Sequence, residues 1–277
     1  MSIALKKGLL FIKIICFTIY LTVCCFAQAQ EEQITYLAVD QVDNNKQSIN
    51  QIRLSGVDGF LLSGQYFQGK AQSSAVLLLH DCSHDSQTYN HINALLSDLG
   101  LHVLALDLRG FGASSSDDFS HTKIKRNAKD MASYQSALSG ITSFWPSDIL
   151  TSYQYLRSRM SKTSNIAVVS AGCSAIEAVN LAANMRISSF VMITPELNYT
   201  QKEQYKNLID IPVYFIGSIY HVQTYQSIKE LFDWNGNKNS TLQSFKGNYS
   251  GNNLLRSKSY LGKNIASWLN ERLKKRG

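Results

Sequence analysis

The chain has 277 residues, 44% of them hydrophobic, with 27 Lys and Arg against 20 Asp and Glu, for a formal net charge of +7 at pH 7. This length with no compositional break predicts one large α/β domain rather than two small ones. Setting aside Lys6, Lys7 and Lys13 of the N-terminal segment leaves 24 basic against 20 acidic residues, a net +4, so charge gives no argument for a nucleic-acid partner.

Residues 1–29 read as a signal peptide. Lys6 and Lys7 precede a mostly apolar run broken by Lys13, and Ala27-Gln-Ala29 supplies the small-x-small pattern, which places the cut before Gln30. The uncharged stretch from Ile14 to Ala27 is shorter than the roughly 20 residues that span a bilayer. An exported protein, periplasmic or extracellular, with no permanent span after cleavage is therefore expected; the alternative is an anchor through an uncleaved N-terminus. Residues 30–49 are polar, and 50–277 make the domain.

In chain order, 51–55 and 59–67 predict two strands joined by a Gly56-Val-Asp-Gly59 turn. Ser74 to His80 is a short continuous apolar run, as befits a strand covered on both faces, and Tyr89 to Leu99 has helical spacing. A strand at 101–106 follows. Residues 113–145 are polar and serine-rich, an irregular insertion or partial lid, with Lys123, Lys125, Arg126 and Lys129 as solvated surface. Then come a helix at 148–160 after Pro146, a strand at 166–170, a helix at 174–184, strands at 189–194 and 211–217, a helix at 222–232, a strand at 240–245 and a C-terminal helix from about 253 to 273. Repeated strand-helix units predict a mainly parallel eight-stranded sheet with helices on both faces.

Three segments carry chemistry. They are Val76-Leu-Leu-Leu-His-Asp-Cys-Ser83, Leu106-Asp-Leu-Arg-Gly-Phe-Gly-Ala-Ser114, and the strand-to-helix turn Asn165-Ile-Ala-Val-Val-Ser-Ala-Gly-Cys-Ser-Ala175. In this order and at these spacings the chain resembles the α/β-hydrolase superfamily over about residues 50–275. The resemblance implies that the first segment supplies one oxyanion-hole amide, with Asp81 in place of a glycine. It implies that the third is the turn that lifts the catalytic serine above the sheet. Gly172 stands at the serine's place. It can take the strained dihedral at no Cβ penalty, about 1–3 kcal/mol for other residues, but offers no oxygen.

The same resemblance puts Tyr220 at the acid's place and Ser250 at the histidine's, and no histidine follows His221. A serine hydroxyl needs an oriented imidazole to become a nucleophile, so three vacant roles predict a non-catalytic pseudo-hydrolase. Its remnant pocket is expected above Gly172, lined by Cys82, Cys173, Tyr220 and Ser250, for a small-molecule ligand or a protein partner.

The alternative is an ester, thioester or lactone hydrolase that uses Cys173 in a frame similar to dienelactone hydrolases, or less favourably Ser174, which Ile176 crowds. His221 or His80 would then be displaced into the base role. His80 otherwise buttresses the oxyanion loop, His84 is a loop residue beside Asp81 and Asp85, and Glu196 is an alternative acid. The His80, His84 and His91 spacing does not predict a metal, because 80 ends a strand and 91 lies on a helix. No cofactor is expected. Cys82 and Cys173, the cysteines outside the signal segment, are implied to sit side by side at the oxyanion hole. In an exported protein they form either a disulfide or two buried thiols.

Overall fold

The computed structural model describes residues 49–274; the expected signal segment, the polar stretch up to 48 and residues 275–277 lie outside the described residues. The strands are β1 (Ile49–Ser55), β2 (Leu61–Phe67), β3 (Ala75–Leu79), β4 (His102–Leu106), β5 (Ile166–Ala171), β6 (Ser189–Ile193), β7 (Val213–Ser218) and β8 (Thr241–Phe245). They form a single sheet in the order β1-β2-β4-β3-β5-β6-β7-β8. β2 pairs antiparallel with β1 and β4, and the remaining pairs are parallel, as the strand-helix alternation predicts.

The helices are α1 (Asn90–Asp98), α2 (His121–Asn127), α3 (Met131–Thr142), α4 (Trp145–Ser158), α5 (Ala175–Asn184), α6 (Tyr199–Lys206), α7 (Val222–Trp234), α8 (Asn252–Ser257) and α9 (Leu261–Leu273). The pleat sends alternate strand residues to two separate cores. On one face Leu77, Leu104, Val168, Phe190 and Phe215 pack with Ile149 and Leu156 of α4 and with Ile228 and Leu231 of α7. On the other, Val76, Val103, Val169, Val191 and Ile216 pack with Leu96 of α1 and Ile265 of α9. The central strands are buried on both faces, which explains their unbroken apolar runs.

Several boundaries differ from expectation. The segment 113–145 is not irregular: it holds α2, capped by Ser120, whose side chain takes the Lys123 N–H at 3.3 Å, and α3, capped by Asp130 on the Ser133 N–H at 2.7 Å. Neither shows an apolar stripe, because only Ile141 of the two helices is buried, so caps rather than packing mark them. The helix α6 escapes a periodicity search for the same reason; Asn198 caps it at 3.2 Å and Tyr205 is its one buried residue. The expected C-terminal helix is two helices, interrupted at Lys258-Ser-Tyr260 without a glycine or proline.

The segment after β4 ties these parts together. The Asp107 carboxylate accepts the Ser86 and Ala113 N–H groups, each at 2.9 Å. The fully buried Arg109 grips Asp148 of α4 through two hydrogen bonds of 2.9 and 2.8 Å, and also binds Asp58 in the β1–β2 turn. Its guanidinium lies 4.2 Å from the Phe60 ring and 4.3 Å from that of Phe144.

Candidate functional site

β5 ends in a tight turn, Gly172–Ser174, that opens directly into α5. Gly172 takes φ +53, the left-handed region that a side chain resists. The fully buried Ser174 hydroxyl accepts the Ala171 N–H at 3.1 Å and lies 3.0 Å from the carbonyl oxygens of Leu79 and Ala171. It fastens the turn to the end of β3, so its oxygen faces backbone rather than the surface.

Above the turn sits Asp81. A Cβ added to Gly172 would lie 3.2 Å from Asp81 Cβ and 3.7 Å from Glu196 Oε1. The Asp81 carboxylate is 6% exposed as part of its residue, and its hydrogen bonds account for that burial. Its Oδ1 accepts the Ser83 N–H at 2.9 Å and pairs with His84 Nδ1 at 2.8 Å, while Oδ2 accepts the Asn252 N–H at 2.7 Å. Gly251, at φ +52, has no room for a Cβ because Asp81 Oδ2 fills that space. The Gly251 N–H donates to Thr194 Oγ1 at 2.5 Å, and Thr194 itself holds a positive φ of 41, a costly conformation for a β-branched residue. Asp81 thus anchors the 250–252 loop over the turn.

Cys82 and Cys173 are joined by a disulfide with a Cα–Cα distance of 5.9 Å across a sequence separation of 91. Of the two alternatives left by the sequence, the bonded one holds. Cys173 therefore carries no free thiolate, which removes the attacking group of the cysteine-nucleophile alternative in this state.

The histidines go to separate tasks. His80 is fully buried, with Nδ1 donating to Asp81 O at 2.7 Å and Nε2 accepting the Leu108 N–H at 3.0 Å, and burial lowers its proton affinity. Both ring nitrogens are occupied in holding the loops after β3 and β4, which suits a buttress rather than a base. His91 stands on the first turn of α1, and Asp85 caps the turn at Gln87. Among the described residues no three His, Cys, Asp or Glu side chains gather as metal ligands.

His221 precedes α7 with Nδ1 at 2.5 Å from Thr224 Oγ1. Tyr220 is 55% exposed and its N–H donates to Gly247 O at 3.1 Å; Ser250 is half-buried and its carbonyl accepts the Asn253 N–H at 3.1 Å. Tyr220 thus presents a surface phenol and Ser250 a loop hydroxyl.

The cleft beside this turn has a volume of about 440 Å³ and is walled by Ile176, Pro195, Glu196, Asn198, His221 and Thr224 among others. Cys82, Cys173, Tyr220 and Ser250 are not among its lining residues. The Glu196 N–H donates to Gly172 O at 3.0 Å, tying the cleft wall to the turn. Although Glu196 has an open outer edge, partial desolvation raises its carboxyl above the usual range; His221 opposes that rise and Asp81 adds to it. The sequence marks Asp81 as a residue in place of a glycine and as a neighbour of His84. Its match to Gly251, 170 positions away, has no local signal.

No protein-family model and no curated protein sequence matches the chain. Solved structures do. An esterase from Pyrococcus furiosus superposes with a TM-score of 0.61 at 14% identity, covering 87% of this chain and 98% of its own. A CIB-like hydrolase from Thermoplasma acidophilum gives 0.59 at 15% identity, with coverages of 81% and 99%. Dienelactone hydrolase from Anabaena variabilis gives 0.55 at 14% identity, with coverages of 88% and 100%. With the eight-stranded sheet, this likeness establishes the fold.

Proposed function

From the α/β-hydrolase fold that the chain has, we propose that it is an exported pseudo-hydrolase: it binds a small polar molecule in the cleft beside the degenerate turn and does not turn it over. The observation that carries this reading is the Cys82–Cys173 bond beside Gly172, because it leaves the turn without a free hydroxyl or thiolate directed at the cleft. A disulfide also suits an oxidising compartment, in keeping with the signal segment expected at 1–29. No helix among the described residues is long and apolar enough to cross a membrane.

The cleft supplies recognition groups, and the hydroxyls in its wall are Ser227 and Thr224, the latter bonded to His221. Glu196, Asn198, Thr224 and His221 offer acceptors and donors around an apolar wall of Ile176 and Pro195, and its volume falls within the range of about 300–1,000 Å³ typical of ligand sites. Labelling with a fluorophosphonate and, without reductant, with iodoacetamide tests the proposal, alongside a broad panel of esters, thioesters and lactones. The expected result is no fluorophosphonate adduct, no alkylation mapped to Cys82 or Cys173, and no turnover. Hydrolysis that disappears in Cys173→Ala would overturn it.

A further inference from the structure

On the other face of the sheet from α5 and α7, α1 packs against α9. Between the start of α1 and the break separating α8 from α9 lies a groove of about 300 Å³, lined by Thr88, His91, Ile92, Leu255, Arg256 and Ser259. Gly262 forms part of its wall, where a Cβ would stand 3.0 Å from His91 Cδ2; the glycine lets the His91 ring lie against α9. Ile92 is buried and Leu255 half-buried, so the floor is apolar, while His91, Arg256 and Ser259 are exposed at the rim.

The charge of the groove has one sign. No Asp or Glu is among its lining residues. Among the described residues, the Arg256 guanidinium has no ion-pair or hydrogen-bond partner. α9 begins at this groove, with no acidic residue in the first turn and no side-chain cap, so its positive end adds to the charge of Arg256.

We propose that this groove is a second ligand site, which takes a small carboxylate-headed amphiphile. The alkyl portion lies on Ile92 and Leu255, and the carboxylate is held by the Arg256 fork with the Thr88 and Ser259 hydroxyls and His91 beside it. A single permanent cation matches one carboxylate charge, and a guanidinium binds that planar head through two parallel hydrogen bonds. The volume, at the low end for ligand sites, limits the chain to a short one. This site is independent of the cleft beside Gly172.

Titration of the full chain with hexanoate tests the proposal, followed by calorimetry and by the ring-proton resonances of His91 and His221. Hexan-1-ol and hexylammonium serve as isosteres, and inorganic phosphate as a headgroup without a tail. Hexanoate is expected to bind saturably and to shift His91 but not His221, with both isosteres at least about tenfold weaker. Arg256→Gln, at an exposed position that leaves the melting temperature unchanged, is expected to weaken hexanoate at least about tenfold. Equal binding of hexan-1-ol, undiminished affinity in Arg256→Gln, phosphate binding more tightly than hexanoate, or no saturable binding would each overturn it.

Discussion

Asp81 and Gly251 are fitted to each other: the Asp81 carboxylate occupies the space a Cβ on Gly251 would need, and its Oδ2 accepts the next N–H, that of Asn252, at 2.7 Å. Gly251→Ala is expected to destabilise by about 2 kcal/mol or more, since the positive φ and the overlap act together. Asp81→Gly removes three hydrogen-bond acceptor contacts and is expected to cost about 2–4 kcal/mol. In urea unfolding the double variant should be less destabilised than the sum of the singles, because the overlap is gone; strict additivity would mean that the two residues do not sense each other.

Gly172→Ser puts a hydroxyl at the nucleophile's place and still gives no hydrolase. The candidates for a base are committed elsewhere, with His80 bonded through both nitrogens, His84 to Asp81 and His221 through Nδ1 to Thr224. The expected outcome is a fold destabilised by about 1–3 kcal/mol and no ester turnover above background. Measurable activity in this variant would show that an imidazole reaches the turn.

Reduction of the disulfide, or Cys82→Ser with Cys173→Ser, releases a loop of 91 residues. The chain-entropy relation puts the loss at about 4–5 kcal/mol for a loop of that size. Chemical unfolding with and without reductant checks this, and superimposable curves would contradict it.

Partial desolvation raises the Glu196 carboxyl, so the folded protein holds that proton at pH values where the unfolded chain has released it. Stability is therefore lost as pH rises from the usual carboxylate range through the raised value, and the penalty is constant above it. Glu196→Gln removes the ionised form. It is expected to raise the melting temperature at pH 7 and to leave it unchanged at pH 3; a pH-independent change would assign the effect to packing instead.

Much of the fold was readable because its signals are local. The apolar runs at 75–79, 102–106 and 166–171 can only be strands covered twice, and Pro146 marks the first turn of α4. The glycine at 172 identified the turn as a backbone conformation even though the chemistry usually attached to it is missing. Exposed helices such as α2, α3 and α6 escaped because they bury almost nothing, and only Ser120, Asp130 and Asn198 announce them. Of the site, the pairing of Cys82 with Cys173 was legible as one of two alternatives. The shape of the site was illegible, since the Asp81–Asn252 bond spans 171 positions and Arg109 gathers Asp58 and Asp148 from both sides in sequence. Such long-range polar contacts follow from topology and leave no periodic trace.

The bond between Cys82 and Cys173 encloses β4, β5 and α1 to α4, including the solvent-facing helices of the 113–145 segment where a protease finds its easiest approach. A cut there severs the backbone but not the molecule. Both pieces stay tethered through sulfur, each still paired in the same sheet, and separate only when a reductant is added. In a protease-rich compartment the bridge works as a repair-free safeguard, and a nicked chain should run as one species until it is reduced.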